Sequence, residues 1–188
     1  MREISEISLR RAAVSGAAVL LLWTISAPAA ASTCRLEEGT ALFESRKFAD
    51  ARRVLEPCAA TDAKAGIYVG RAWIADGDFE KAVPPLEKAV ALDPKSSDAH
   101  MWLGRAYAQK AQKANVFQQA SLAPKIHKQF EEAVALDRTS IEARLSLMDF
   151  YLLAPGIMGG SVGKAHAQAE EIRRLDPLKG HQAAGRIA

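Results

Sequence analysis

Three stretches of this chain are variations on one helix. "GDFEKAVPPLEKAVALDP" runs from Gly77 to Pro94, "IHKQFEEAVALDR" from Ile126 to Arg138, and "KAHAQAEEIRRLDP" from Lys164 to Pro177. Each ends in Leu-Asp followed by Pro or Arg, and each carries apolar residues at helical spacing. Those residues are Ala82, Leu86, Ala89 and Val90; then Ile126, Phe130, Ala133 and Val134; then Ala165, Ala169 and Ile172. A second helical stretch precedes each one: "GIYVGRAWIADG", "HMWLGRAYAQKA" and "ARLSLMDFYLLA". A helix with a single apolar stripe cannot persist alone in water, so the stripes must be buried against one another. The chain is therefore expected to be all-α, built from stacked helix pairs. Its 188 residues are 49% hydrophobic but only 6% aromatic, which suits closely packed alanine-rich helices.

Gly70 and Gly104 stand 34 residues apart in matching first-helix positions. Ala82 and Ala89 fall at the small positions of the second helix, and Pro94 closes the unit. In these residues the chain resembles the tetratricopeptide repeat, a pair of antiparallel helices of about 34 residues. The resemblance is most specific over residues 77–110; Gly39 to Leu55 follow the same plan. It extends over nearly all of residues 32–188 as four helix pairs with the start of a fifth. It implies an α-solenoid, a right-handed superhelix of stacked antiparallel pairs. It also implies a non-catalytic scaffold or adaptor, whose first helices line a concave groove for a protein or peptide partner. By motif position the groove residues are Lys64, Ile67, Arg71 and Ile74; then Met101, Arg105 and Gln109; then Ala143, Leu147, Phe150 and Tyr151. Arg71 and Arg105 are equivalent and are expected to stack in one row. Two aligned guanidiniums favour a carboxylate; the rival expectation pairs each with a neighbouring acid inside the solenoid. The dicarboxylate clamp of chaperone-binding members is not reproduced, because its lysine and asparagine positions differ. No cofactor is implied.

Residues 1–31 have a different character. Arg10-Arg11 precede an apolar run from Ala12 to Ile25, and Ala27-Pro28-Ala29-Ala30-Ala31 follow. A basic flank, an apolar run of about fourteen residues and small residues at its end form a secretory signal, cleaved after Ala31. The run is short for a membrane span, which takes about twenty residues. The location expected is periplasmic or secreted, with membrane contact only through an uncleaved signal. Export permits a disulfide between the two cysteines, Cys34 and Cys58. Arg35 to Arg46 and Phe48 to Leu55 read as an antiparallel hairpin turning near Lys47, which brings the two thiols side by side at its open end. Two buried free thiols are the alternative.

Two pairs carry insertions. The first surrounds Ala111 to Ala123 and is expected to lengthen a helix and add a loop pinned by Phe117 and Leu122. The second is "PGIMGGSVGKA", Pro155 to Ala165. It has the look of a nucleotide-binding loop, but a phosphate loop needs G-x-x-x-x-G-K-S/T between a strand and a helix. Here Met158 occupies the first glycine position, Ala165 the hydroxyl position, and a helix comes before. It reads better as a turn with Ile157 and Met158 tucked in and Ser161 capping the next helix; an exposed Ile157-Met158 pair touching a partner is the functional alternative. An enzyme, or a nucleotide- or metal-binding protein using residues 155–165, is the weaker reading. The histidines are scattered, and His166 with Glu170 makes two metal ligands at most. The net charge of +3 is too mild to forecast nucleic acid. "GHQAAGRIA" reads as a short capping helix, whose end is also where a second copy of the chain would attach. Pro84-Pro85 are expected to kink their helix.

The export reading has a direct check. Amino-terminal sequencing of the exported protein is expected to begin at or near Ser32; mature material beginning at Met1 contradicts it.

Overall fold

A computed structural model describes residues 34–187, so the signal expected over residues 1–31 lies outside the described residues. Among the described residues nine α-helices follow one another: α1 (Leu36–Glu44), α2 (Phe48–Ala59), α3 (Ala63–Ala75), α4 (Phe79–Leu92), α5 (Ser97–Gln112), α6 (Val116–Leu136), α7 (Ile141–Leu153), α8 (Val162–Leu175) and α9 (Pro177–Gly185). A 3-10 turn, Gly156–Met158, separates α7 from α8. The helices pack in sequence order as four pairs with α9 against α8. This is the α-solenoid of antiparallel pairs, and none of the described helices is long and apolar enough to cross a membrane.

Short polar side chains punctuate the solenoid. Asp62, Asp78, Ser96, Asn115, Ser140, Ser161 and Asp176 cap α3 to α9, each accepting a backbone N–H three residues on. Such a cap satisfies an amide that the helix itself cannot. The recurring Leu-Asp has a related explanation: Asp176 is itself a cap, while Asp93 and Asp137 bond an amide two residues on, in the turn before the next helix. Asp137 and Asp176 leave the helix in extended geometry, and the Oδ1 atoms of Asp93, Asp137 and Asp176 accept the N–H of Lys95, Thr139 and Lys179. The Thr139 hydroxyl, ahead of its backbone N–H, holds the Asp137 carboxyl below its ordinary value. α4 runs unbroken through Pro84 and Pro85. The carbonyls of Glu80 and Lys81, deprived of donors by the two prolines, belong to exposed residues that water can reach.

Within each pair, one small residue faces one large one. A Cβ on Gly39 would lie 2.3 Å from Leu55, on Gly70 2.3 Å from Leu86, and on Gly104 2.5 Å from Phe130. Leu55 and Leu86 are fully buried and Phe130 nearly so. In the fourth pair the sizes are exchanged. Matching the cap Ser140 to Ser96 puts Met148 at the glycine position, and matching Ser161 to Asp78 puts Ala169 at the position of Leu86. Both are buried in the same cluster.

At the amino-terminal end, α1 and α2 have no side-chain caps. Cys34 and Cys58 are joined as a disulfide across the open end of this hairpin, with Cα atoms 5.3 Å apart. At the other end, Ala183 is buried and Ala184 and Ile187 half-buried on α8, leaving His181 and Gln182 to solvent.

The first insertion departs from expectation. It extends α5 and α6 themselves, and the connection shrinks to Lys113–Asn115. Asn115 and Gln118 form a reciprocal capping box that starts α6 nine residues before Pro124. Leu122 is buried as expected, but Phe117 is 83% exposed and pins nothing.

Two stability measurements follow. Gly104→Ala gains about 1 kcal/mol in helix propensity but forces Phe130 to move, at a cost of about 1–3 kcal/mol. The urea midpoint is expected to fall, and to fall less in a Phe130→Ala background. Reducing Cys34–Cys58 releases a loop of 24 residues, and is expected to lower stability by about 3 kcal/mol on the chain-entropy account. An unchanged midpoint in reductant contradicts that.

Candidate functional site

The inner face of α5 and α7 forms an open groove of about 680 Å³. Arg105, Ala108, Gln109 and Gln112 line one side, and Leu145, Ser146, Asp149 and Leu153 the other. Behind them lie Ala123, Ile126 and Phe130 of α6. Ile74 borders the groove from α3, Met158 from the 3-10 turn and Arg186 from the carboxyl-terminal end. Gln112 and Gln119, in the added turns of α5 and α6, are part of its lining.

The groove is amphipathic. Leu153 is 75% exposed, an unfavourable place for a leucine in water. Its charges are paired with one another. Arg105 donates from Nη2 to Glu142 at 2.8 Å and from Nε to the Ser146 hydroxyl at 3.0 Å. Arg186 forms an ion pair with Asp149. The expected row exists: the Arg71 and Arg105 guanidiniums each lie 4.7 Å from the Trp102 ring. The two then differ. Arg105 has an acidic partner, whereas Arg71 has none among the described residues.

Seven residues expected in the groove are not part of its lining, Arg71 among them. Ile67 is buried in a cluster with Ala89 and Ala99, and Met101 in a cluster with Ala133 and Ala143. The first helix of the following pair covers each of them. Leu147 and Tyr151 are buried in the main core, where the Tyr151 hydroxyl meets His127 Nε2 at 3.1 Å. Ala143 is fully buried, and Lys64 is exposed on the first turn of α3, outside the groove lining. Ile74, Arg105, Gln109 and Phe150 do line the groove. The error in the fourth pair is one of phase. Matching Ser140 to Ser96 makes Leu145, Asp149 and Leu153 the counterparts of Met101, Arg105 and Gln109. That cap spacing was the signal that could have found them. Trp102, Phe43 and Tyr68, which surround Arg71, carried no sequence signal beyond their aromatic character.

The glycine-rich loop is a closed turn. The N–H groups of Met158 and Gly160 donate to Pro155 O, that of Gly159 to Gly156 O, and that of Ser161 to Tyr151 O at 2.8 Å. Amides spent on the chain's own carbonyls cannot cradle a phosphate. Gly159 adopts φ +100°, and a Cβ on Gly160 would sit 1.8 Å from Ala154 O, so the glycines serve the turn. Met158 is half-buried, but Ile157, expected to tuck in, is 95% exposed. Among the described residues no cluster of three or more His, Cys, Asp or Glu could hold a metal ion.

Residues 70–110 match the family model described as TPR repeat. The fold is that of a TPR solenoid. Its likeness to solved structures covers most of the described chain. The thermophilic TPR protein TTC0263 of Thermus thermophilus is 17% identical, with a TM-score of 0.66 over 81% of this chain and 78% of that one. MamA is 20% identical, with a TM-score of 0.62 over 79% and 81%. Human IFIT1, solved as a dimer with PPP-AAAA, is 22% identical, with a TM-score of 0.59 over 72% of this chain and 31% of its own. No curated protein matches in sequence. The TPR match runs from Gly70 on α3 through α4 into α5, so it takes in the Gly70–Leu86 crossing and much of the α5 side of the groove.

Proposed function

We propose that this chain is an exported TPR-type adaptor that holds a segment of a protein partner between α5 and α7. The observation that carries the reading is the groove itself: open, partly apolar and edged with side-chain amides. Leu153, Leu145 and Met158 offer apolar contact, and Gln109, Gln112 and Gln119 offer hydrogen bonds to a peptide backbone. A helix or extended peptide laid in a groove uses that combination. The reading assigns the chain no chemistry of its own. It places the protein outside the cytoplasm, through the signal at residues 1–31.

A nucleic-acid partner, or one such as the PPP-AAAA of the IFIT1 structure, fits this groove less well. Glu142 and Asp149 stand beside Arg105 and Arg186, so the inner face is not a field of unpaired positive charge.

A photocrosslinker at Gln112, in the groove, and another at Lys88, exposed on α4, test the reading in cells. Gln112 is expected to capture a defined exported partner that Lys88 does not. Ala108→Trp fills the groove and is expected to weaken that partner's binding about tenfold or more, or 1.4 kcal/mol, with the helical circular dichroism unchanged. Capture from Lys88 alone, or unchanged binding with the groove filled, contradicts it.

A further inference from the structure

We infer that one end of the solenoid, formed by the third and fourth pairs, docks on an anionic lipid surface with Phe117 and Ile157 dipping into it. The connection inside every pair lies at the same end, because the two helices of a pair are antiparallel. In the third pair that connection is Lys113–Asn115, and in the fourth it is residues 154–161. The 3-10 turn packs against α6, and Gln119 and Met158 border one groove, so the two connections are neighbours. Four apolar side chains stand out from them into water: Val116 at 59% exposure, Phe117 at 83%, Ile157 at 95% and Val162 at 59%. Among the described residues, the first two pairs expose no large apolar side chain at their own connections. A cluster of such residues in water marks a surface that something else covers.

Charge decides what covers it. The chain has 22 Asp and Glu residues, but none stands between Ala99 and Phe130 or between Phe150 and Ala169, the stretches that build this end. The carboxylates of the neighbouring α3–α4 turn are taken: Asp76 pairs with Arg52, Asp78 with Lys81 and Glu80 with Lys110. Lys113 and Lys164 are exposed and have no acidic partner among the described residues. Lys113 reaches only the Gly77 carbonyl, at 3.4 Å, and the Phe79 ring; Lys164 lies over the Tyr151 ring. Asn115, Gln118 and Ser161 are the uncharged polar groups beside the apolar tips. Apolar tips set among lysines and uncharged groups suit lipid headgroups: the tips enter the acyl boundary, and the cations meet the phosphates. None of the described helices can cross a bilayer, so the contact is with its surface. The groove faces inward, away from this end, so the inference goes beyond the adaptor reading and does not depend on it.

The test uses residues 32–188, because the apolar stretch from Ala12 to Ile25 would bind lipid by itself. Vesicles of phosphatidylglycerol and phosphatidylcholine in equal parts are compared, by sedimentation, with vesicles of phosphatidylcholine alone. The chain is expected to bind the anionic vesicles at least tenfold more tightly than the neutral ones. Lys113→Gln with Lys164→Gln should weaken that binding at least tenfold, at about fivefold per lysine near an anionic surface. Phe117→Ser with Ile157→Ser should also weaken it at least tenfold. Leu178→Ser removes an exposed apolar side chain at the opposite end, on α9, and should change binding less than twofold. All five side chains are exposed, and circular dichroism checks that the fold is kept. Phe117→Trp reports insertion directly: lipid brominated on its acyl chains should quench its emission beyond that of the unaltered chain. The lipid contact is overturned if the chain binds neither vesicle, if it binds both equally, or if Leu178→Ser weakens binding as much as the Phe117 and Ile157 changes. Unquenched emission from Phe117→Trp overturns it too. A photocrosslinker at Phe117 that captures the Gln112 partner or a second copy of the chain, without vesicle binding, would assign this end to that protein and leave the adaptor reading standing.

Discussion

The solenoid depends on a size rule at the point where two helices of a pair cross. One side contributes no side chain and the other a large one: Gly39 with Leu55, Gly70 with Leu86, Gly104 with Phe130. The absent Cβ lets a leucine or phenylalanine sit directly on the opposing backbone, in full burial. Close packing of this kind transmits shape, because a core at crystal-like density cannot absorb an extra methyl group without moving something. The fourth pair keeps the rule while reversing its terms, with Met148 where the glycine stood and Ala169 where the large residue stood. What the four pairs share is one small and one large residue at these two positions.

The inner groove follows from that regularity and from two departures. Regular stacking brings the same inward positions of α3, α5 and α7 into rows, which puts Arg71 and Arg105 on one tryptophan. The departures are the extra turns of α5 and α6 and the closed turn after α7. Both border the groove, through Gln112 and Gln119 in one case and Met158 in the other. The repeats make the scaffold, and the residues that break the repeat give one stretch of its inner face a shape of its own.

Much of this was legible in the sequence. Leu-Asp endings and glycines 34 residues apart pointed to the pairs, and two helical stretches balanced about Lys47 pointed to the first hairpin and the meeting of Cys34 with Cys58. Of the residues expected on the inner face, Ile74, Arg105, Gln109 and Phe150 border the groove, whereas Leu147 and Tyr151 are buried in the main core. The fourth pair has no glycine to mark its phase, so an apolar cluster was taken for an inner face. Ile67 and Met101 failed for another reason: motif position locates a residue on its own helix, not the neighbour that covers it. Phe117 and Ile157 were expected to be buried because they are apolar, yet both lie on inserted segments that offer them no partner surface. The closed hydrogen bonding of Pro155 to Ser161 is backbone geometry, and residue types alone could not distinguish it from an open loop.

The size rule is open to one decisive measurement, a double-mutant cycle at Met148 and Ala169 followed by urea denaturation. Met148→Gly leaves a cavity and Ala169→Leu overfills the crossing, so each alone is expected to destabilise the chain. Together they recreate the arrangement of Gly70 with Leu86. The double variant should recover much of the loss, with a coupling energy toward the upper end of about 0.5–3 kcal/mol. Strictly additive losses would contradict the account, because they would mean that the two positions do not share one packing site.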